Sequence, residues 1–297
     1  MNEIENETDI ENITDIKCVG KITSEGEIGK CGEDNYIIHD SDNYIILGVI
    51  DGVGGWNNVQ GLSKNIIPIF TYELSQKLKK HIKEYLKKNI IELVDKYVMK
   101  HWVIDVLNEL YNNNIHGSST LLICIINKKN GKCKIYNIGD SKMMIIRDKK
   151  MESGNRGGLE DILITESQQF NFNAPYQVGS NPPENNRFSK SRFNDKGEYY
   201  EIDLEQGDFL LLGTDGLWDN LDILEIIQII EKEYNNLNDI NDIKKISNKL
   251  IEESKKRMLN MTTSKGPWVL EYEKHNNKLV DYTGKYDDIT LISTLII

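Results

Sequence analysis

Four acidic positions share one local grammar, in which an apolar run ends against an aspartate beside a glycine or a turn. Asp51 closes ILGVID and is followed by GVGGW, Asp140 closes YNIGD, and Asp215 closes FLLLGTD ahead of Gly216. Asp287 and Asp288 stand between Gly284 and ITLISTLII, and Glu33 with Asp34 supplies a fifth acidic signal just before the first apolar run. Helix capping accounts poorly for Asp51 and Asp140, because neither precedes a helical pattern. If the runs end at one cleft, the carboxylates repel one another at low dielectric unless protons or cations compensate. Hard oxygen ligands of this kind suit Mg²⁺ or Mn²⁺, which keep some of their water. Independent turn aspartates would show the same spacing, so spacing alone leaves both readings open.

The elements that must position these groups are legible in outline. NYIIHDSDNYIILGVID reads as two short strands, Tyr36 to Ile38 and Tyr44 to Ile50, joined by the turn former HDSDN. Between Leu62 and about Leu110 the period changes to threes and fours, in Ile66, Ile69, Phe70, Leu74 and Leu78 and then in Ile82, Leu86, Ile90, Leu93, Val94, Tyr97 and Val98, which predicts two long helices with apolar stripes. Strands return at Thr120 to Ile126 and Lys134 to Ile138 around an Asn130-Gly131 turn, and a third, Lys142 to Arg147, extends the meander. Phe209 to Gly213 is a further strand. Asp219, Asn220 and Asp222 are read as caps for a helix over Ile223 to Tyr234. Another helix spans Ile240 to Met258, and Ile289 to Ile296 is a last strand. At least six strands and four helices are expected. Residues 1–17 read as a flexible acidic terminus and 18–297 as one domain. Residues 148–201 are the least regular portion, either a surface segment or a substrate-facing flap.

Composition narrows the classes. The chain has 297 residues, a net charge of −11 and a pI near 5.1, so long-range attraction to nucleic acid or to an anionic bilayer is not expected to organise it. A divalent ion can reverse the local field, which leaves phosphate chemistry open. No run is long and apolar enough for stable membrane insertion. Cys18, Cys31, Cys124 and Cys133 form no CxxC pair and are read as buried or incidental thiols of a reducing compartment. The polar, acidic start is unlike a leader, so the chain as it stands reads as cytoplasmic or nuclear, and as organellar if a leader has been removed.

The segments GEDNY (32–36), DGVGGW (51–56), GSST (117–120), NIGDS (137–141), GTDGLWDN (213–220) and KYDDIT (285–290) occur in that order. Together they resemble the metal-dependent serine/threonine protein phosphatases of the PPM (2C) type, and more closely the PTC7-like subgroup that carries DGVGGW in place of DGHGG. QQFNFNAPYQVG (168–179) is similar to the same subgroup. The resemblance covers nearly all of the chain from Gly32 onward. It implies an α+β fold, an αββα sandwich of two antiparallel sheets flanked by helices, with a metal centre at one edge. It also implies two Mg²⁺ or Mn²⁺ ions per site, with a weaker third, and a phosphoprotein or phosphopeptide substrate hydrolysed by an activated water with no covalent intermediate. A monomer is expected.

Residue by residue, the bridging aspartate of the family matches Asp51 and its carbonyl ligand matches Gly52. The second-metal aspartates match Asp215 and Asp287. Glu33 and Asp34 match an acidic pair that acts largely through metal-held water, and Asp140 matches the aspartate of the third metal. The catalytic set implied is Asp51, Asp215, Asp287 and Glu33. Two departures stand out: the phosphate-gripping arginine is replaced by Gly29, with Lys30 beside it, and the histidine of DGHGG is replaced by Val53. Lys30 and Arg192 are weak candidates for orienting phosphate, and the general acid is unassigned. Rival readings are a regulatory protein that keeps the fold without turnover and a hydrolase of small phosphoesters or nucleotides. No P-loop or Rossmann glycine pattern supports a nucleotide cradle.

Overall fold

A strand such as YIILGVI offers water no polar face, so it must be covered on both sides. The computed structural model, which describes residues 12–19, 31–58, 66–88, 90–150, 156–180, 196–234 and 240–297, covers it with a second sheet on one side and helices on the other. In chain order come β1 (Asn12–Val19), β2 (Asn35–Asp40), β3 (Tyr44–Ile50), α1 (Ile66–Leu86) and α2 (Lys96–Asn112). There follow β4 (Gly117–Ser119), β5 (Leu121–Asn127), β6 (Lys132–Ile138), β7 (Lys142–Lys150) and β8 (Arg156–Ile164). Three short strands, β9 (Gln169–Asn171), β10 (Ala174–Pro175) and β11 (Val178–Ser180), lead to β12 (Glu198–Asp203) and β13 (Phe209–Gly213). The rest comprises α3 (Asp215–Trp218), α4 (Ile223–Tyr234), α5 (Ile240–Met258), α6 (Pro267–Asn276) and β14 (Ile289–Ile296).

Two five-stranded sheets result, in the orders β12-β6-β5-β3-β2 and β1-β14-β13-β7-β8, with every pairing antiparallel. Strand alternation sorts the side chains into three apolar layers. Ile46 and Ile50 of β3 face α1 and α2, where Phe70, Leu74, Leu78, Met99 and Val106 pack on them. Ile45, Leu47 and Val49 face the other sheet, meeting Met143, Leu210, Leu212 and Ile292. In β13 the opposite positions, Phe209 and Leu211, pack beneath Ile226 and Ile230 of α4 and Ile243, Ile246 and Leu250 of α5. This is the αββα sandwich that the resemblance implied, and two long helices do cover the first sheet. The threes-and-fours run is not helical throughout, however. Among the described residues between Leu86 and Lys96 only a short 3-10 turn, Ile91–Leu93, forms, and Ile69, Ile90, Leu93 and Tyr97 are exposed rather than part of the buried stripe.

Several expectations need correction. Residues 12–17 are not a loose terminus: they belong to β1, which pairs with β14 in the register Asn12↔Ile296 through Val19↔Ile289. A strand whose partner lies at the far end of the chain leaves no local signal. Much of 148–201 is also regular, because β8 pairs with β7 and β12 with β6, and the bulges in the β7–β8 register obscure the alternation. Residues 181–195, with Arg192, and residue 30 lie outside the described residues. Cys124 and Cys133 are free and buried, as expected for thiols, whereas Cys31 is disulfide-bonded. Sequence separation could not report which cysteines meet in space. No helix among the described residues is long and apolar enough to cross a membrane.

Candidate metal centre

Antiparallel pairing brings the acidic strand ends to one edge. Asn35 pairs with Ile50, so the segment entering β2 lies beside the segment leaving β3, which places Glu33 and Asp34 near Asp51. Leu121 pairs with Ile138, which carries Asp140 to the same end of the first sheet. In the second sheet Gly213 pairs with both Lys142 and Leu291, so Asp215 leaves β13 where Asp287 and Asp288 enter β14.

Backbone requirements at two glycines make the approach possible. Gly139 turns the chain after β6 at φ +109°, a conformation that other residues rarely adopt. At Gly52 a side chain would collide with the Glu33 carbonyl, 2.5 Å from an ideal Cβ, and with Ile67 at 2.3 Å. The DGVGGW segment is then pinned. Gly52 bridges to Ser119, the Val53 N–H donates to the Ser118 carbonyl at 2.9 Å, and buried Trp56 Nε1 donates to Ser118 Oγ at 2.7 Å. The Thr120 N–H donates to the Asp51 carbonyl at 2.9 Å.

The carboxylates of Asp51, Asp140 and Asp215 each present an oxygen within 4.8 Å of the others. Asp140 Oδ2 accepts from Gln169 Nε2 at 2.9 Å, while its Oδ1 is buried without a hydrogen-bond partner. A carboxylate with one orphaned buried oxygen, grouped with two further carboxylates, is an arrangement a hard cation satisfies. These residues therefore fit a divalent ion. Around them, Asp34 accepts from Thr214 Oγ1 at 2.8 Å, and Asp288 Oδ2 accepts the Glu33 N–H at 2.8 Å. Asp288, a residue without an assigned role in the sequence reading, thus ties the Glu33 segment to the entrance of β14.

Asp219 corrects the capping expectation. Asp222 is the residue that accepts the Glu225 N–H at 2.9 Å and caps α4, whereas Asp219 Oδ2 lies 2.7 Å from Lys285 Nζ, which also contacts Asp215. A turn aspartate just before a helix looks like a cap in sequence whichever way its side chain turns. Lys285, Gln169 and Thr214 also escaped the sequence reading. KYDDIT contained Lys285, but nothing in the spacing shows that its side chain folds back. Among the other candidates, Asp287 shares Lys285 with Asp215 at 3.2 Å, and the Glu33 carboxylate lies beside Gly54 of the DGVGGW segment, whose ideal Cβ is 2.8 Å from Glu33 Oε2.

Burial is the main reason these carboxyls are hard to ionise. It pushes Asp140 and Asp215 up to about 7 and Asp219 to about 6, with the neighbouring aspartates adding and Lys285 opposing. Asp51 and Asp34 are raised well above the ordinary value by burial and by the surrounding carboxylates. A raised folded-state pKa means that the metal-free folded protein holds more protons than the unfolded chain between about pH 4 and 7. That contribution to stability is complete below the unfolded value and is lost as pH rises through the folded one. The melting temperature in excess chelator is therefore expected to fall between pH 5 and 8, and saturating Mn²⁺ is expected to flatten the decline, since binding requires the deprotonated ligands. Paired carboxylates such as Glu225 shift the opposite way, so the stability they contribute is complete above their ordinary value of 4.5, is lost only as pH falls below it, and does not alter the slope in this window. A flat or rising melting curve in chelator over this window would contradict the crowding of the cluster.

Comparison with known proteins agrees with this architecture. The family described as Protein phosphatase 2C matches residues 199–261. Protein phosphatase PTC7 homolog fig of Drosophila grimshawi is 27% identical over 269 residues, covering 89% of this chain and 79% of that protein. The 5-azacytidine resistance protein azr1 of Schizosaccharomyces pombe is 30% identical over 197 residues, 64% of this chain and 57% of its own length. Among solved structures, the photosystem II phosphatase PBCP superposes with a TM-score of 0.70 at 20% identity, over 97% of this chain and 99% of that one. Two sheets in αββα layers, carboxylates gathered at one edge and the superposition on PBCP give this chain the PPM/2C-type phosphatase fold, and its sequence is similar to the PTC7 homologues over most of its length.

Proposed function

We propose that the protein is a metal-dependent protein phosphatase that hydrolyses phosphoserine and phosphothreonine monoesters. The observation that carries this reading is the convergence of Asp51, Asp140 and Asp215, together with the unsatisfied buried oxygen of Asp140. Asp51, the Gly52 carbonyl, Asp215 and Asp287 would hold two Mg²⁺ or Mn²⁺ ions, with Glu33 and Asp34 acting through water and Asp140 serving a weaker third position. Ions held there would acidify a water molecule and offset the charge that develops on the phosphoryl oxygens.

The remaining work falls to the chain's own groups. Gln169 fixes the Asp140 carboxylate, Thr214 fixes Asp34, and Asp288 fixes the Glu33 backbone, so the oxygens face the cleft before substrate arrives. Val53 stands where relatives of the DGHGG kind carry histidine, so leaving-group protonation falls to water or to another group. A covalent route through cysteine finds no support among the described residues. Cys124 and Cys133 are buried in the layer between the sheets, and Cys31 is disulfide-bonded.

The test is turnover of a phosphoserine and phosphothreonine peptide panel in Mn²⁺ buffer beside nucleoside monophosphates and a sugar phosphate. The peptides are expected to be hydrolysed with kcat/KM at least about tenfold above the small esters, the discrimination that roughly 1.4 kcal/mol of added contact provides. Ion binding by a folded protein without hydrolysis of any peptide would favour the regulatory reading instead.

A further inference from the structure

Lys285 begins the KYDDIT segment and turns back across one side of the carboxylate cluster. Its ammonium contacts Asp215 and lies 2.7 Å from Asp219 Oδ2 and 3.2 Å from Asp287 Oδ2. Three carboxylates therefore share one cation. The backbone around it is fixed: the Lys285 N–H donates to Asn220 Oδ1 at 3.0 Å, and the Lys285 carbonyl accepts from Asn220 Nδ2 at 3.0 Å. Asn220 itself is fully buried and also donates to the Gly216 carbonyl at 2.9 Å, so a single amide joins α3 to the Lys285 segment. The side chain is only 15% exposed. Its reach to the aspartates is thus set by the fold, unlike that of a surface lysine free to swing away.

An ammonium and a divalent ion on the same carboxylate oxygens repel each other and compete for the same lone pairs. Asp215 and Asp287 are the aspartates assigned above to the second ion, and Asp219 lies on the same side. We propose that Lys285 is a resident counter-cation of this side of the centre. It holds Asp215, Asp219 and Asp287 together when no ion is bound, and it must leave them when a divalent ion takes them. Ion affinity at this position is then set partly by the displacement of one ammonium. Lys285 is a positioning residue in this account, and the inference rests on the metal-centre reading given above.

Calorimetric titration with Mn²⁺ of the wild-type protein and of Lys285→Met, each verified as folded by circular dichroism, tests the idea. The variant is expected to bind the ion at this position about tenfold or more tightly, the scale of one displaced charge-assisted contact, and to melt lower when metal-free. Lys285→Arg is expected to bind no more tightly than wild type. Equal or weaker Mn²⁺ binding by folded Lys285→Met would overturn the proposal. Should that variant fail to fold, acetylation of the wild-type protein followed by peptide mass spectrometry decides. Labelling of Lys285 should rise at least about threefold on saturation with Mn²⁺ while exposed Lys80 stays constant, and unchanged labelling of Lys285 would overturn the displacement. A wild-type protein that binds no Mn²⁺ would remove the metal centre and this inference together, an outcome distinct from ion binding that ignores Lys285.

Discussion

Asp215→Asn is expected to reduce phosphopeptide turnover by at least about 100-fold, the scale on which a preorganised catalytic electrostatic group contributes. The neutral amide keeps the shape of the side chain but removes its whole negative charge and one of its two oxygen ligands from a position flanked by Asp51 and Asp140 within 4.8 Å. It also removes one of the three carboxylate partners of Lys285. Asp222→Asn makes the informative comparison, because asparagine caps a helix about as well as aspartate and Asp222 binds the Glu225 N–H rather than the cluster. Its turnover and melting temperature are expected to remain close to wild type. Equal losses in the two variants would mean that Asp215 acts by holding the fold together, and an active Asp215→Asn would remove it from the centre.

Chelation is the second large effect. Excess EDTA is expected to abolish turnover and to lower the melting temperature, with both recovered on adding Mn²⁺ or Mg²⁺. A ligand present at 100 times its dissociation constant stabilises the folded state by about 2.7 kcal/mol, which corresponds to roughly 4 °C for a chain of this size. The direction follows from the electrostatics: burial and mutual repulsion already hold Asp51 and Asp34 against ionisation, and a divalent ion relieves both penalties at once. Full turnover in chelator, measured on protein shown by elemental analysis to be metal-free, would end the metal-dependent reading.

What the sequence disclosed about the centre was whatever depends on local order. Asp51, Asp140 and Asp215 each follow an apolar strand directly, so their placement at strand ends was legible before their convergence was. Convergence itself is a property of sheet register. It was accessible only through the resemblance, because no spacing rule ties residue 51 to residue 215. Side-chain direction was less accessible still: Asp219 and Asp222 look alike as helix-start aspartates, yet one faces Lys285 and the other the first turn of α4. The same limit hid the pairing of β1 with β14, and bulges hid β8 although the β7 strand it pairs with was read as far as Arg147, whereas the helical stripes of α4 and α5 could be read directly and those of α1 and α2 could be read without the break between them.

The pairing of β14 with both β1 and β13 has a consequence for how the protein comes into being. During synthesis the first sheet, including the hairpin of β2 and β3, can form from early sequence, but the second lacks an interior strand until Ile289–Ile296 emerges. Until then β1 has no ladder partner and one edge of β13 stands open, an arrangement that invites pairing with a neighbouring chain. Asp287 and Asp288 immediately precede that strand and emerge with it. The nascent chain therefore completes its charge cluster at nearly the same moment as its second sheet, and a ribosome that stops short of β14 releases a half-sandwich with an exposed strand edge.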